Sequence, residues 1–233
     1  MLPTAPSLHS ARRVRLQALR GRVGLGLVAG LSVLAGMTDA VGLLALGDFV
    51  SFMSGNTTRL AVAISQADLA LILRLALAIL GFVLGNTLGV LLARRLNRRA
   101  APLLLIVATL LAFAAAWPAS ITFPALIAAT LAMGMLNAVV EQVNGLSIGL
   151  TYVTGALSRF GRGLGRWLLG ERRDGWRVQL VPWSGMLLGA ALGAWLQQRL
   201  GLQALAASCA LACLLALVTV FIPRAWQLGY MPR

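Results

Sequence analysis

Apolar positions run in six long blocks, 24–47, 69–93, 102–118, 124–148, 179–198 and 202–222, with charge largely confined to the gaps. A helix rising 1.5 Å per residue needs about 20 apolar residues to cross a hydrocarbon core of roughly 30 Å, and each block is near or above that length. The pattern predicts an all-α membrane bundle of six transmembrane helices. Between the third and fourth blocks lies Pro118-Ala-Ser-Ile-Thr-Phe-Pro124, an uncharged, proline-bounded stretch that predicts a tight turn.

Two further stretches fit neither a span nor a solvated loop. Residues 48–64 are too apolar for a loop and too interrupted for a crossing, and residues 150–160 have the same character. Backbone that leaves helical geometry at membrane depth must be buried in protein or line a wet cavity. Both stretches predict broken or re-entrant segments, an amphipathic surface helix being the other form that the pattern admits.

The chain also repeats itself. Gly36-Met37-Thr38-Asp39-Ala40-Val41 returns as Gly134-Met135-Leu136-Asn137-Ala138-Val139, and Ser54-Gly55-Asn56-Thr57-Thr58-Arg59 returns as Thr154-Gly155-Ala156-Leu157-Ser158-Arg159. Gly81, Leu84, Gly85, Leu88 and Gly89 return as Gly185, Leu188, Gly189, Leu192 and Gly193. Three motifs in the same order divide the chain into repeats 24–118 and 124–222, an arrangement that recurs in secondary transporters. The glycine rows form small-xxx-small faces that let helix backbones approach closely, with Asn86 beside one of them placed for an interhelical hydrogen bond.

Composition supports the membrane reading: hydrophobic residues make up 59% of 233, charged residues 11%, and mean hydropathy is +0.86. The net charge of +14 suggests nucleic acid in a soluble protein, but here every basic residue is Arg and most cluster between apolar blocks. That is orientation by the positive-inside rule, and no nucleic-acid partner is expected. With the N-terminus in the cytoplasm, five Arg precede residue 23, four fall in 94–99, six in 159–177 and two after 223. Only Arg59, Arg74 and Arg199 fall opposite. Both termini are therefore expected on the cytoplasmic side of a bacterial inner membrane, with 1–23 and 223–233 as tails and 24–222 as one membrane domain. The Arg-rich start resembles a signal peptide, but the run 24–47 exceeds a typical apolar core of about 7–15 residues and predicts a retained span. Three spans per repeat is an odd number, so the repeat is predicted to be inverted.

Candidate chemistry centres on Asp39, inside the first block. A carboxylate there costs at least about 2.5–3.5 kcal/mol on insertion scales, and an intramembrane acid is a functional site by default, a helix–helix hydrogen bond being the alternative. Asn137, its repeat mate, stands with Glu141 and Asn144 at i, i+4 and i+7, which predicts a polar stripe on one helix face meeting Asp39. Two such carboxyls can share a proton or hold a monovalent cation, although a structural polar seam produces the same pattern. Ser54, Gly55, Asn56 and Thr57, and likewise Thr151, Thr154 and Gly155, suit a helix start where an anionic group binds. Cys209 and Cys213 share a helix face and read as packing residues. His9 carries no expected role. There is no HExxH, Cys-His pair, Walker loop or acidic cluster with metal-ligand spacing, so no enzyme activity, cofactor or metal is expected.

Gly36-x-x-Asp39-Ala40, Phe52-Met53-Ser54-Gly55-Asn56, Asn137-Ala138 and Thr151-Tyr152-Val153-Thr154-Gly155 together resemble the YoaK-like family of bacterial membrane proteins, a domain of unknown function. The family pattern reads Met-Thr-Gly-Asn where this chain has Met53-Ser54-Gly55-Asn56. The resemblance covers about 24–222 and implies a small polytopic inner-membrane protein with no established activity. The residues themselves point to secondary transport or facilitated passage of a small solute or ion, proton- or cation-coupled, with a membrane scaffold or accessory subunit as the alternative. The bilayer is the expected partner; the substrate's identity and a homo-oligomer are left open.

Overall fold

The computed structural model describes residues 8–143, 146–147, 153–172 and 175–232. The chain is an all-helical membrane protein. Helix α1 (Leu8–Val41) passes without a break from the Arg-rich stretch into the first apolar block, then widens into a π turn at Gly42–Leu46 and stops at Gly47, whose φ of 82° suits a residue without a Cβ. After a loop come α2 (Met53–Ser65), α3 (Leu69–Arg95), α4 (Ala100–Ala116) and α5 (Thr122–Leu136). A two-stranded antiparallel pair, β1 (Gln142–Val143) and β2 (Leu146–Ser147), follows, then α6 (Val153–Leu168), α7 (Leu180–Leu200), α8 (Leu205–Val220) and a short α9 (Arg224–Gln227).

Local chemistry sets the breaks. Asp68 caps α3 by accepting from the Leu71 amide, and Pro118 ends α4 while Pro124 falls in the first turn of α5, where a missing N–H costs nothing. Among the described residues, three stretches are long and apolar enough to cross a membrane: Arg15–Leu46, Leu69–Arg95 and Arg177–Val220, the last holding both α7 and α8. Helices α4 and α5 are shorter apolar helices.

The fourth block departs from expectation. It was predicted to be one helix over 124–148, but α5 ends at Leu136 and the chain turns into the β1–β2 pair. Val143 pairs with Leu146, leaving Asn144-Gly145 between the strands. Asn-Gly is the dipeptide that two-residue hairpin connections favour, and Val139-Val140 before it is a β-branched run.

Helix packing follows the glycine rows. Helix α1 lies along α7, α3 along α5, and α4 along α8 and α5. In the α1–α7 contact, a Cβ on Gly189 would come well inside 3.0 Å of the Val33 carbonyl oxygen, on Gly193 of the Met37 carbonyl, and on Gly36 of the Met186 carbonyl. In the α3–α5 contact the same holds for Gly85 on the Leu131 carbonyl and Gly134 on the Phe82 carbonyl, while Gly89 rests against Met135. Gly185 faces Ser32, and Gly81 faces Thr130. Each pair in one interface is the other shifted along the chain, by 98 residues on the α1/α5 side and 104 on the α3/α7 side. Without a hydrophobic driving force between helices in lipid, such backbone-on-backbone approach is what holds them together. Asn86, expected to bond between helices, instead donates to the Phe82 carbonyl of its own helix (2.9 Å).

Candidate functional site

The loop between α1 and α2 is where buried polar groups gather: Asp39, Asp48, Ser51 and Asn56. Asp39 sits seven residues before the end of the π turn, about 10 Å along the helix. Its Oδ1 nevertheless accepts from the amides of Val50 and Ser51, each at 2.8 Å. The chain therefore doubles back after Gly47 and runs beside α1. A loop that leaves helical geometry exposes N–H groups, and in a dry interior each needs an acceptor. Asp39, buried at 6% exposure, supplies one to two consecutive amides.

Asn56 closes the same loop from the other side. Its Oδ1 accepts from the Phe49 amide (3.2 Å) and its Nδ2 donates to the Phe49 carbonyl (2.6 Å), so that one side chain does for this residue what a neighbouring strand would. Asn56 is fully buried. Gly55 makes room for the Phe49 and Phe52 rings, which meet edge-on at 5.2 Å; a Cβ there would strike Phe52.

The rim of the loop is held by charge. Asp48, 1% exposed, takes Arg59 Nη1 on Oδ1 at 2.6 Å and Arg74 Nε on Oδ2 at 2.5 Å. Arg59 also donates to the Gly47 carbonyl, and Arg74 donates to the Leu46 carbonyl and reaches Thr122 Oγ1 at 3.4 Å. Two carbonyls freed at the end of the π turn are satisfied in this way. Arg59 and Arg74 are two of the three arginines that fell on the opposite side by charge counting; the third, Arg199, stacks over Trp195 at 4.7 Å. Asp48→Ala leaves two guanidiniums facing each other, yet both are about a third exposed, which softens the usual penalty for breaking a buried pair to about 2–3 kcal/mol. Arg74→Gln is expected to cost less and Arg59→Gln least, because Arg74 has more partners and is the less exposed. Thermal unfolding of the three variants checks this order, and a neutral Asp48→Ala contradicts it.

Not all of the expected site comes together. Ser54 and Thr57 are exposed, and the Thr57 hydroxyl back-bonds to the Met53 carbonyl of its own helix. Helix α2 starts at Met53 without a side-chain cap, so Ser54 and Asn56 lie inside the helix rather than at its N-cap. Thr154 and Gly155 occupy the matching places in α6: residues 53–60 and 153–160 follow the same sequence of exposed, half-buried and buried positions. Thr151 and Asn144 lie outside the described residues.

The expected stripe of Asn137, Glu141 and Asn144 on one helix face is corrected by the end of α5 at Leu136. Asn137 is half-buried just past that end, and Glu141 is exposed. The Glu141 and Gln142 amides donate to the Tyr230 carbonyl (2.7 and 3.2 Å), and Val143 abuts Gly24. Gly24 lies 15 residues from Asp39 on α1, roughly 22 Å away along the helix. Glu141 and Asp39 therefore do not share a site.

Sequence reading missed the C-terminal strap. Gln227 accepts from the Ala100 amide and donates to the carbonyls of Thr219 and Ile222; Arg98 donates to the carbonyls of Leu228 and Met231. Tyr230, 1% exposed, donates to the Arg20 carbonyl at 2.6 Å. Burial pushes its phenol above the ordinary value, against the downward pull of the Arg20 guanidinium. Two aromatic residues, Trp226 and Tyr230, in the short stretch after the last apolar block are the signal available.

A family model described as a protein of unknown function, DUF1275, matches residues 27–218. The chain belongs to the DUF1275 family. It is 52% identical over 218 residues to a UPF0700 transmembrane protein of Rhizobium meliloti (strain 1021), covering 93% of this chain and 95% of that protein. No solved structure matches. The matched range of the DUF1275 model takes in both glycine interfaces and the whole Asp39–Asn56–Asp48 loop, which agrees with the sequence resemblance.

Proposed function

We propose that this DUF1275 protein is a secondary transporter or facilitator for a small solute, built from two inverted halves in the bacterial inner membrane. Each half contributes three crossings (α1, α3, α4 and α5, α7, α8) and one broken segment that ends in α2 or α6. The observation that carries the reading is the doubled glycine register: the first crossing of each half is gripped by the second crossing of the other, residue for residue. Inverted repeats with discontinuous segments at their junction are the architecture that places a solute path between halves. In this reading Asp39 and Asn56 shape the turn-back of the first broken segment, and ion coupling rests on Asp39 alone rather than on a carboxyl pair.

Flux measured in proteoliposomes tests the reading, with a panel of monovalent cations, small carboxylates and amino acids, with and without an imposed pH gradient. A solute that moves faster than in protein-free vesicles supports transport. The scaffold reading has its own observation in favour, since the Asp39 Oδ1 is already occupied by the loop amides. Folded protein that moves no member of the panel under any gradient leaves that reading in place.

Orientation has a separate test, motivated by the segregation of arginine. Reporter fusions after Arg99, near Arg166 and after Arg224 are expected to report cytoplasm, and a fusion near Ser120 the opposite side. A cytoplasmic signal at Ser120 removes both the six crossings and the inversion.

A further inference from the structure

A groove of about 550 Å³ opens between the start of α4 and the end of α8, at the arginine-rich end of the bundle. Its mouth carries Arg99 and Arg224, both exposed, and neither guanidinium has a hydrogen-bond or ion-pair partner among the described residues. Its wall is Leu105, Val220 and Phe221, side chains that are 50%, 65% and 79% exposed. Gln227, which also lines it, ties the α4 start to the α8 end through three hydrogen bonds. Two exposed cations therefore sit beside an exposed apolar wall.

We propose that this groove is a binding site for an anionic phospholipid, the two arginines holding the phosphodiester while the upper acyl chains lie along Leu105, Val220 and Phe221. Guanidinium is the group suited to bidentate contact with phosphate, and basic pockets between helix ends are the usual form of specific lipid sites. The volume falls within the range of small-ligand sites, about 300–1,000 Å³, and exceeds what a bare phosphate fills. The apolar wall gives a free anion nothing, which is why a lipid rather than a soluble phosphate is the occupant. The site is independent of whether the protein transports.

The test uses purified protein in uncharged detergent. Lipid retained is counted by native mass spectrometry, and the melting midpoint is followed against phosphatidylglycerol, phosphatidylcholine with the same chains, and inorganic phosphate. Phosphatidylglycerol is expected to bind and raise the midpoint, and the other two are not. At about one kcal/mol per interfacial arginine, Arg99→Gln with Arg224→Gln is expected to weaken phosphatidylglycerol about 30-fold. Arg162→Gln with Arg166→Gln, a pair on the exposed face of α6, controls for overall charge and is expected to leave affinity within a few-fold. Undiminished binding by the first pair, an equal loss in the control pair, or equal binding of phosphatidylcholine overturns the proposal. A midpoint shift by inorganic phosphate as large as that by the lipid assigns the arginines to a free anion and overturns the lipid. If the first pair does not fold, Leu105→Trp decides: it obstructs the apolar wall with both arginines intact, and unchanged phosphatidylglycerol affinity overturns the site.

Discussion

Alanine at Gly189 and alanine at Gly85 are expected to destabilise the fold strongly and by similar amounts. At each position the added Cβ meets a backbone carbonyl oxygen on the facing helix, Val33 in one case and Leu131 in the other, and a carbonyl cannot swing aside as a side-chain tip can. The helices must separate, which forfeits the close contacts along the whole row. Overpacking costs about 1–3 kcal/mol in ordinary cores, and a backbone collision in the principal interface lies at or above the top of that range. Gly26→Ala and Gly161→Ala are the controls: both lie in helices with nothing within 4 Å of the new Cβ, and alanine there is expected to be neutral or to gain about 0.5–1 kcal/mol. Melting curves in one detergent compare all four. Equal, large losses at Gly189 and Gly85 support equivalent halves; a large loss at only one of them breaks the equivalence on which the transporter reading stands.

Asp39 separates structure from function. Asp39→Ala removes the acceptor from the Val50 and Ser51 amides inside the protein, and each buried donor left unsatisfied costs about 1–3 kcal/mol. Folding is expected to suffer badly. Asp39→Asn keeps an oxygen in the place of Oδ1, so both amides stay bonded and the melting midpoint is expected to stay near that of the parent or rise, since the desolvation cost of a carboxylate is gone. The two variants together read the residue's role. If Asp39 carries a coupled proton or cation, Asp39→Asn folds normally and loses gradient-driven flux. Full gradient-driven flux in a well-folded Asp39→Asn assigns the carboxylate to the loop alone.

The long apolar helices are legible in the sequence because their cause is local. Apolar blocks at 24–47, 69–93, 179–198 and 202–222 become α1, α3, α7 and α8 with ends shifted by a few residues at most, apart from the start of α1, since in lipid a helix satisfies every backbone group within its own segment. The close packing on Gly81, Gly85 and Gly89 and on Gly185, Gly189 and Gly193 is legible for a related reason: small residues at helical spacing have one physical use. The unusual character of 48–64 is legible too, as an interruption in an apolar run.

What joins distant residues is different. Asp39 as a misplaced carboxylate can be found by composition, but its partners are amides 11 and 12 residues on, chosen by a loop whose descent depends on Asn56 and on Asp48 between Arg59 and Arg74. The end of α5 at Leu136 separates Glu141 from Asp39, although helical spacing puts it on a shared face with Asn137. Tyr230 and Gln227 become buried only because the tail finds the Arg20 carbonyl along α1 and polar backbone groups at the α4 start and the α8 end. The sequence by itself determined that this chain enters a bilayer as long helices, since burial of apolar side chains and internal backbone bonding are properties of each segment alone. Tertiary structure decided which polar groups meet, because a buried donor or acceptor takes whichever partner the packing of other segments brings within reach.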